Sequence, residues 1–458
     1  MTMIKPNNDG GRRFGAALLA LTAAIAVVAC NDLLDVNNPN NVVGEDILEP
    51  SAGSALANGA LYELQSGYTY TLMVYGTATD EMTWVGSRDN FQTLDYGYVD
   101  DPLNEFSDEA FKDIAPARWM ADEAVKILEM HYEGDSIVAE SELAEAYLWS
   151  AIAYVVIADV FDDFTFSDKR VASPPIGESA MGGLYDVAIT RLDEAQTLDI
   201  SSELERNIIA MRARAKHARG VWNLVGTRPI TTGLISASDA AAAAVDAQAA
   251  LDMDPSDWVF DFQYISTGTG ADIHSNVNSR LEMRFGDRYI IPEPAGKRRD
   301  RTAPDRGIAL QDPIDGFGDP RLDVFMTAFE DGITLGDLPI FSAREMHLIL
   351  AEDALVRGDA LAFATHINAS RAWGGLSDWT PASGVSEQDM LIYERQVNLY
   401  LQMRRMSDMY RFGIRSDNWQ DASPAVTAPG TFWPITKAEL DANCYLNPDW
   451  PPEVPCGG

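Results

Sequence analysis

Apolar positions recur along much of the chain at the three-and-four spacing of helices. Leu143, Ala146, Tyr147, Ser150, Ala151, Tyr154, Ile157, Ala158 and Phe161 share one helix face, small and aromatic enough for close packing. Leu184, Val187, Ala188, Leu192 and Ala195 form a second stripe. Ser202 with Glu205 then has capping-box spacing ahead of an Arg- and Ala-rich run through Arg219. Ser238 to Leu251 is almost all alanine, which predicts a helix able only to dock closely on a neighbour. A later pair is predicted over Ala343 to Arg357 and Ala360 to Trp373. The pattern predicts a mostly α fold in which tetratricopeptide-like helix pairs form a scaffold, although no clean internal repeat is visible.

Residues 253–340 break this pattern with clustered Gly, Pro and Asp, scattered aromatics and the basic run Lys297-Arg298-Arg299. They predict an irregular, loop-rich second subdomain, set between a helical part over 46–252 and a C-terminal helical part over 341–458.

The start of the chain reads as an address label. Lys5, Arg12 and Arg13 precede an apolar stretch from Phe14 to Val28, shorter than the roughly 20 residues of a membrane span. The ending Val27-Val28-Ala29-Cys30 resembles the lipobox of bacterial lipoproteins, which implies a signal peptide over 1–29 and lipidation of Cys30. Cleavage of an ordinary secretory signal nearby is the alternative. The polar, turn-rich residues from Asn31 to Asn41 then read as part of a tether over 30–45. No other run is read as apolar enough to span a bilayer, so the protein is expected to be anchored by lipid and otherwise soluble. Lipidation of Cys30 leaves Cys444 and Cys456 as an even pair, expected to form a disulfide in an oxidising compartment. Two free thiols are the alternative.

Composition narrows the function classes. The 458 residues are 46% hydrophobic, enough for one large core or two fused ones. Against 34 basic residues stand 70 acidic ones, a net charge of −36 that repels nucleic acid and excludes it as a partner.

Several short motifs, in order, resemble one family. They are the lipobox followed by Leu33-Leu34-Asp35-Val36, then Ala78-Thr79-Asp80-Glu81-Met82, then Asp319-Pro320-Arg321-Leu322. Next come Leu348-Ile349-Leu350-Ala351-Glu352-Asp353-Ala354 with Ile367-Asn368-Ala369-Ser370-Arg371-Ala372. Glu394-Arg395-Gln396-Val397-Asn398-Leu399 follows, continuing to Arg405, Asp408, Arg411 and Gly413, and Phe432-Trp433-Pro434-Ile435 closes the series. Together they resemble the RagB/SusD family over nearly the whole chain. Asn398 and Gln402 stand where that family usually has acids, Met406 replaces a common aromatic, and Thr436 replaces a second proline. Arg404 and Asp408, and Asp408 and Arg411, are spaced to form structural ion pairs on one helix face, and Thr436 with Glu439 to form a capping box.

The resemblance implies a non-catalytic lipoprotein of the cell outer membrane. Such a protein binds a glycan or, in some branches, a peptide, and caps a TonB-dependent SusC-like transporter without a cofactor or metal. Sugar binding needs aromatic faces flanked by hydrogen-bonding side chains. Trp84, Arg88, Asn90, Tyr96 and Tyr98 offer that mixture in a stretch read as non-helical, with Trp258, Tyr264 and Tyr289 as second candidates. Ordinary packing is the competing reading for each aromatic.

Two further classes stay open. A glycoside hydrolase would use two carboxylates, for which Asp80 with Glu81 or Asp162 with Asp163 could be proposed, but adjacent acids point apart. A purely structural envelope lipoprotein would hold no ligand. The five histidines, His131, His217, His274, His347 and His366, lack metal spacing. Asp312, Asp315 and Asp319 read as a solvated turn rather than a calcium loop.

Overall fold

A computed structural model describes residues 46–168, 171–265, 271–291, 307–332, 334–451 and 456. The expected signal segment over 1–29, Cys30, the expected tether over 30–45 and the run Lys297-Arg298-Arg299 lie outside the described residues. The chain divides into a unit Met1–Ala52 and a unit Gly53–Gly458. In the first, Asp46–Leu48 and Pro50–Ala52 are single turns of 3-10 helix.

The second unit is mostly helical and begins with α1 (Gly53–Ala78), β1 (Met82–Trp84) and α2 (Asp89–Asp95). α3 (Glu105–Glu133), α4 (Glu140–Val160), α5 (Gly183–Ala195), α6 (Ser202–Val225) and α7 (Ala237–Met253) follow. Each packs on the next, and α1 lies along α3. That approach is close because Gly67 has no side chain: a Cβ there would sit 2.9 Å from the Asp113 carbonyl oxygen. Asn104 starts α3 by accepting from the backbone N–H groups of Phe106 and Ser107.

α4 is buried on nearly every side rather than along the one face expected from its spacing, because α1, α3, α5 and α6 surround it. It also corrects the expectation about membrane spans. α4 is long and apolar enough to cross a bilayer, but its side chains are buried by protein. The cap of α6 is Ser201 rather than Ser202: its extended backbone lets the hydroxyl accept from the Leu204 N–H. In α7, Ala240, Ala243, Ala247 and Ala250 are buried, and this small-residue face docks on α6 and on the later helix Ala343–Arg357.

Two antiparallel strand pairs organise residues 253–340, one tying the region to the first half of the chain and the other joining its two ends. β1 pairs with β3 (Met283–Phe285), placing Trp84 opposite Met283. β2 (Val259–Phe262) pairs with β4 (Leu338–Ser342), with an irregularity between Phe260 and Asp261. Between β3 and β4, α8 (Pro320–Asp331) is capped by Asp319.

α9 (Ala343–Arg357) and α10 (Ala360–Trp373) have the expected bounds. Gly358 ends α9 with left-handed backbone, and Asp359 caps α10 immediately afterwards. α11 (Glu387–Asn398) and α12 (Arg405–Phe412) follow. The chain then returns to its first half, where Trp433 donates its backbone N–H to the Val160 carbonyl and stacks on Tyr75. The Thr436–Glu439 capping box does not close. Glu439 is drawn instead to the hydroxyls of Thr165 and Ser167, 2.8 Å from each.

Buried ion pairs brace these elements. Asp408 binds Arg411 as its spacing predicts, but its other partner is Arg395 on α11. Arg404 pairs instead with Asp159 of α4, because it precedes α12 and leaves that helix face. The turn at Asp312, Asp315 and Asp319 is solvated only in part: Pro313, Gly316 and Phe317 are exposed, but Asp312 and Asp319 are buried, holding Arg371 and Arg321 respectively. Both guanidinium groups also bind Glu394, so these carboxylates are occupied by cations of the protein itself.

Candidate ligand-binding site

The segment from Trp84 to Tyr98 is not loop throughout, since Asp89–Asp95 is helical. Phe91 and Leu94 anchor this short helix in the core, with Phe91 stacked on Phe106 of α3. Periodicity cannot reveal a helix of 7 residues.

Two carboxylates hold the approach to α2. Glu282 accepts from the backbone N–H groups of Ser87, at 2.8 Å, and Arg88, at 3.1 Å. Gly86 is needed here because a Cβ would collide with Glu282. Burial pushes the Glu282 carboxyl up, but the Ser87 and Arg88 N–H groups outweigh it and the net shift is downward. On the other side Asp95 accepts from the Trp84 N–H at 3.1 Å and from the Asn418 amide at 3.0 Å. Burial raises the Asp95 carboxyl to about 7, against the opposing Asn418 and Trp84 hydrogen bonds.

On this frame Trp84 is half-buried on β1, and Arg88 is exposed with its guanidinium 5.7 Å from the Phe106 ring. Asn90 is half-buried, and its carbonyl oxygen accepts from the Asn104 amide and the Thr93 hydroxyl. Tyr96 and Tyr98 are half-buried and share Gln420, which donates its backbone N–H to the Tyr96 carbonyl and accepts from the Tyr98 hydroxyl at 3.0 Å. The Tyr96 hydroxyl accepts from the Gln92 amide at 2.8 Å. The structure therefore brings Tyr96 and Tyr98 together around Gln92 and Gln420, which sequence reasoning missed. Only the side-chain type of Gln92, one turn before Tyr96, could have suggested it. Gln420 lies 322 positions from Tyr98 and carries no local signal.

The second candidates are core residues. Trp258, Tyr264 and Tyr289 are buried, and their polar atoms reach the Asp254 carbonyl, the Gln65 carbonyl and Asp80. Their faces are not available for stacking.

Other residues line three clefts. One of about 670 Å³ lies among α1, α4, α6 and β2, with Gln65, Trp149, Arg206 and Phe260 in its wall. Another, of about 300 Å³, contains Trp119, Lys112 and Glu439. The third, about 600 Å³, holds Asp100, Asp162, Asp163, Glu178 and Arg228. In it Asp162 pairs with Arg228 at 2.7 Å, and Asp163 accepts from the backbone N–H groups of Phe164 and Gly177. Burial raises Asp162 to about 6, against the pull of Arg228. The other acid pair is also bound up in structure. Asp80 grips Arg405, while Glu81 accepts from the Leu401 N–H. The side-chain chemistry around Tyr96 and Tyr98 is that of hydroxyls and amides, suited to hydrogen-bonding a hydroxylated ligand.

The chain matches no protein-family model, and no curated protein matches it. Solved structures do match. A SusD superfamily protein from Parabacteroides distasonis aligns over 86% of this chain and 97% of its own, with TM-score 0.61 and 12% identity. A SusD-like carbohydrate binding protein from Bacteroides vulgatus covers 79% of this chain and 83% of its own, with TM-score 0.50 and 13% identity. A chain solved with xylogluco-oligosaccharide covers 78% of this chain and 83% of its own, with TM-score 0.53 and 14% identity. The architecture is thus a mostly helical scaffold of paired helices. More particularly, it is the SusD-like fold.

Proposed function

We propose that this chain is a non-catalytic, lipid-anchored binder of oligosaccharide that hands its ligand to a TonB-dependent SusC-like transporter in the cell outer membrane. The observation that carries this reading is the SusD-like fold, shared with a protein described as carbohydrate binding and with a chain solved with xylogluco-oligosaccharide. The lipobox-like ending at Cys30 supports the anchor, and the half-buried Tyr96 and Tyr98 at one end of α2, with exposed Arg88 at the other, support a sugar-binding surface. A peptide ligand, as in some branches of the resembling family, is the second reading. The acid pairs support binding over hydrolysis, since Asp80, Asp162 and Asp163 are engaged by Arg405, Arg228 and backbone N–H groups.

The test is titration of the purified chain against arrays of oligosaccharides and peptides, beside a pull-down from membranes. Saturable glycan binding without turnover, with a large β-barrel protein co-purified, is the expected result. Release of reducing ends would move the chain to the hydrolases, and a barrel partner with no ligand would leave a structural lid.

A further inference from the structure

On the crossing of α9 and α10 two imidazoles face one another. The Nδ1 atoms of His347 and His366 are 3.2 Å apart, their ring centroids 5.4 Å apart and their planes 41° apart. Both side chains are half-buried. His347 is further held by the edge of Trp373, whose ring centroid is 5.3 Å away. The two helices are fixed relative to one another by the turn at Gly358 and Asp359, so the rings are presented by rigid elements.

Only one of the two Nδ1 atoms can donate in this contact; the other must accept. The separation has a second meaning. Two nitrogens bound at about 2.0–2.1 Å to one tetrahedral ion lie about 3.3–3.4 Å apart. The pair already stands at that bite, and a small rotation of each ring would turn both lone pairs to a common point beside the line joining them.

We propose that His347 and His366 form a two-histidine site for a borderline divalent transition ion, Zn²⁺ or Cu²⁺, bridging α9 and α10. Imidazole nitrogen suits these ions over Mg²⁺ or Ca²⁺. The ring now donating through Nδ1 takes its Nε2–H tautomer, so both Nδ1 lone pairs reach the ion and no proton is lost from the pair. No third His, Cys, Asp or Glu joins them among the described residues, so water fills the remaining positions. Such a site clamps two helices at the protein surface and binds independently of any glycan.

The other histidines, His131, His217 and His274, are buried, which makes the pair separable by experiment. The full chain, in detergent, without a histidine tag and stripped of metal, is titrated with Zn²⁺ by calorimetry beside His347→Gln and His366→Gln. One saturable equivalent is expected, absent from both variants, whereas equal binding in all three, or none in the wild type, overturns the proposal. Electron paramagnetic resonance of the wild type with one equivalent of Cu²⁺ decides the matter even where a variant fails to fold. Hyperfine coupling to two imidazole nitrogens supports the site, and a spectrum of oxygen ligands alone overturns it.

Discussion

Arg405 grips the carboxylate of Asp80 with two hydrogen bonds, Nε to Oδ1 at 2.7 Å and Nη2 to Oδ2 at 2.6 Å, although the residues lie 325 positions apart. Both are buried, and the other cation near Asp80, Arg288, is exposed and farther off at 3.6 Å, so loss of Arg405 leaves a buried carboxylate without its hydrogen-bonded countercharge.

Arg405→Ala is therefore expected to lower the unfolding free energy by about 3–5 kcal/mol. The pair Asp80→Asn with Arg405→Leu, which removes both charges, should lose less. Urea denaturation measures both; a loss under about 1 kcal/mol for the single variant would show the pair to be solvated.

Glu81, beside that pair, supplies a pH dependence. Burial pushes its carboxyl from 4.5 up to about 8, against the opposing Leu401 N–H. The fold thus favours the protonated form. Its contribution is complete below pH 4.5 and is lost as pH rises through about 8. Asp95, raised to about 7, acts in the same direction between 3.8 and that value. Glu81→Gln, which mimics the neutral acid, should flatten the fall of melting temperature between pH 5 and 8. Parallel curves for variant and wild type would mean that Glu81 ionises in the folded protein as it does in water.

At the candidate site, Tyr98→Phe removes one hydroxyl and should weaken an oligosaccharide found by array about threefold to tenfold, the range of one hydrogen bond. Arg88→Ala should cost more, because its donors are charged. Arg88 is exposed, so an unchanged melt is expected. Trp84→Ala is a poorer probe, since Trp84 lies in β1 and packs there. Unaltered affinity in both Tyr98→Phe and Arg88→Ala would move the ligand elsewhere on the surface.

Cys30→Ser should shift the protein from the membrane fraction to the soluble fraction and abolish incorporation of labelled fatty acid. Retention in the membrane would count against lipid as the anchor.

The structure bonds the sulfurs of Cys444 and Cys456, whose Cα atoms are 5.5 Å apart. Alkylation followed by mass measurement should find two more modified cysteines after reduction than before. Equal counts would mean free thiols.

How much of this could be read from the chain depends on how far each partner lies along it. α9 and α10 are legible to the residue because Ser342, Gly358 and Asp359 mark their ends by local backbone chemistry. α2 is hidden because Phe91 and Leu94 are too few to define a period. Aromatic content alone cannot separate a packed ring from a presented one, which is why Trp258, Tyr264 and Tyr289 looked like candidates. The Arg404–Asp408 spacing misleads for a related reason: it assumes a shared helix, and Arg404 sits just before α12. At the site, the order of motifs reveals Asp80 and Glu81, but Arg405, Leu401 and Gln420 join them or their neighbours only through the fold.

The return of the C-terminal segment onto the first helices also sets a clock. When Asp80 is added to the growing chain, its partner is still 325 residues from being made, which at about 5–20 residues per second is roughly 15–65 s of synthesis. Until then Asp80 lacks the two hydrogen bonds of Arg405, and Tyr75 and Val160 lack Trp433. Contacts of such long sequence separation form slowly and late. The first-half helices, neighbours in sequence, can pack on one another meanwhile, so synthesis leaves a partly built fold whose last seam closes only when the C-terminal segment arrives.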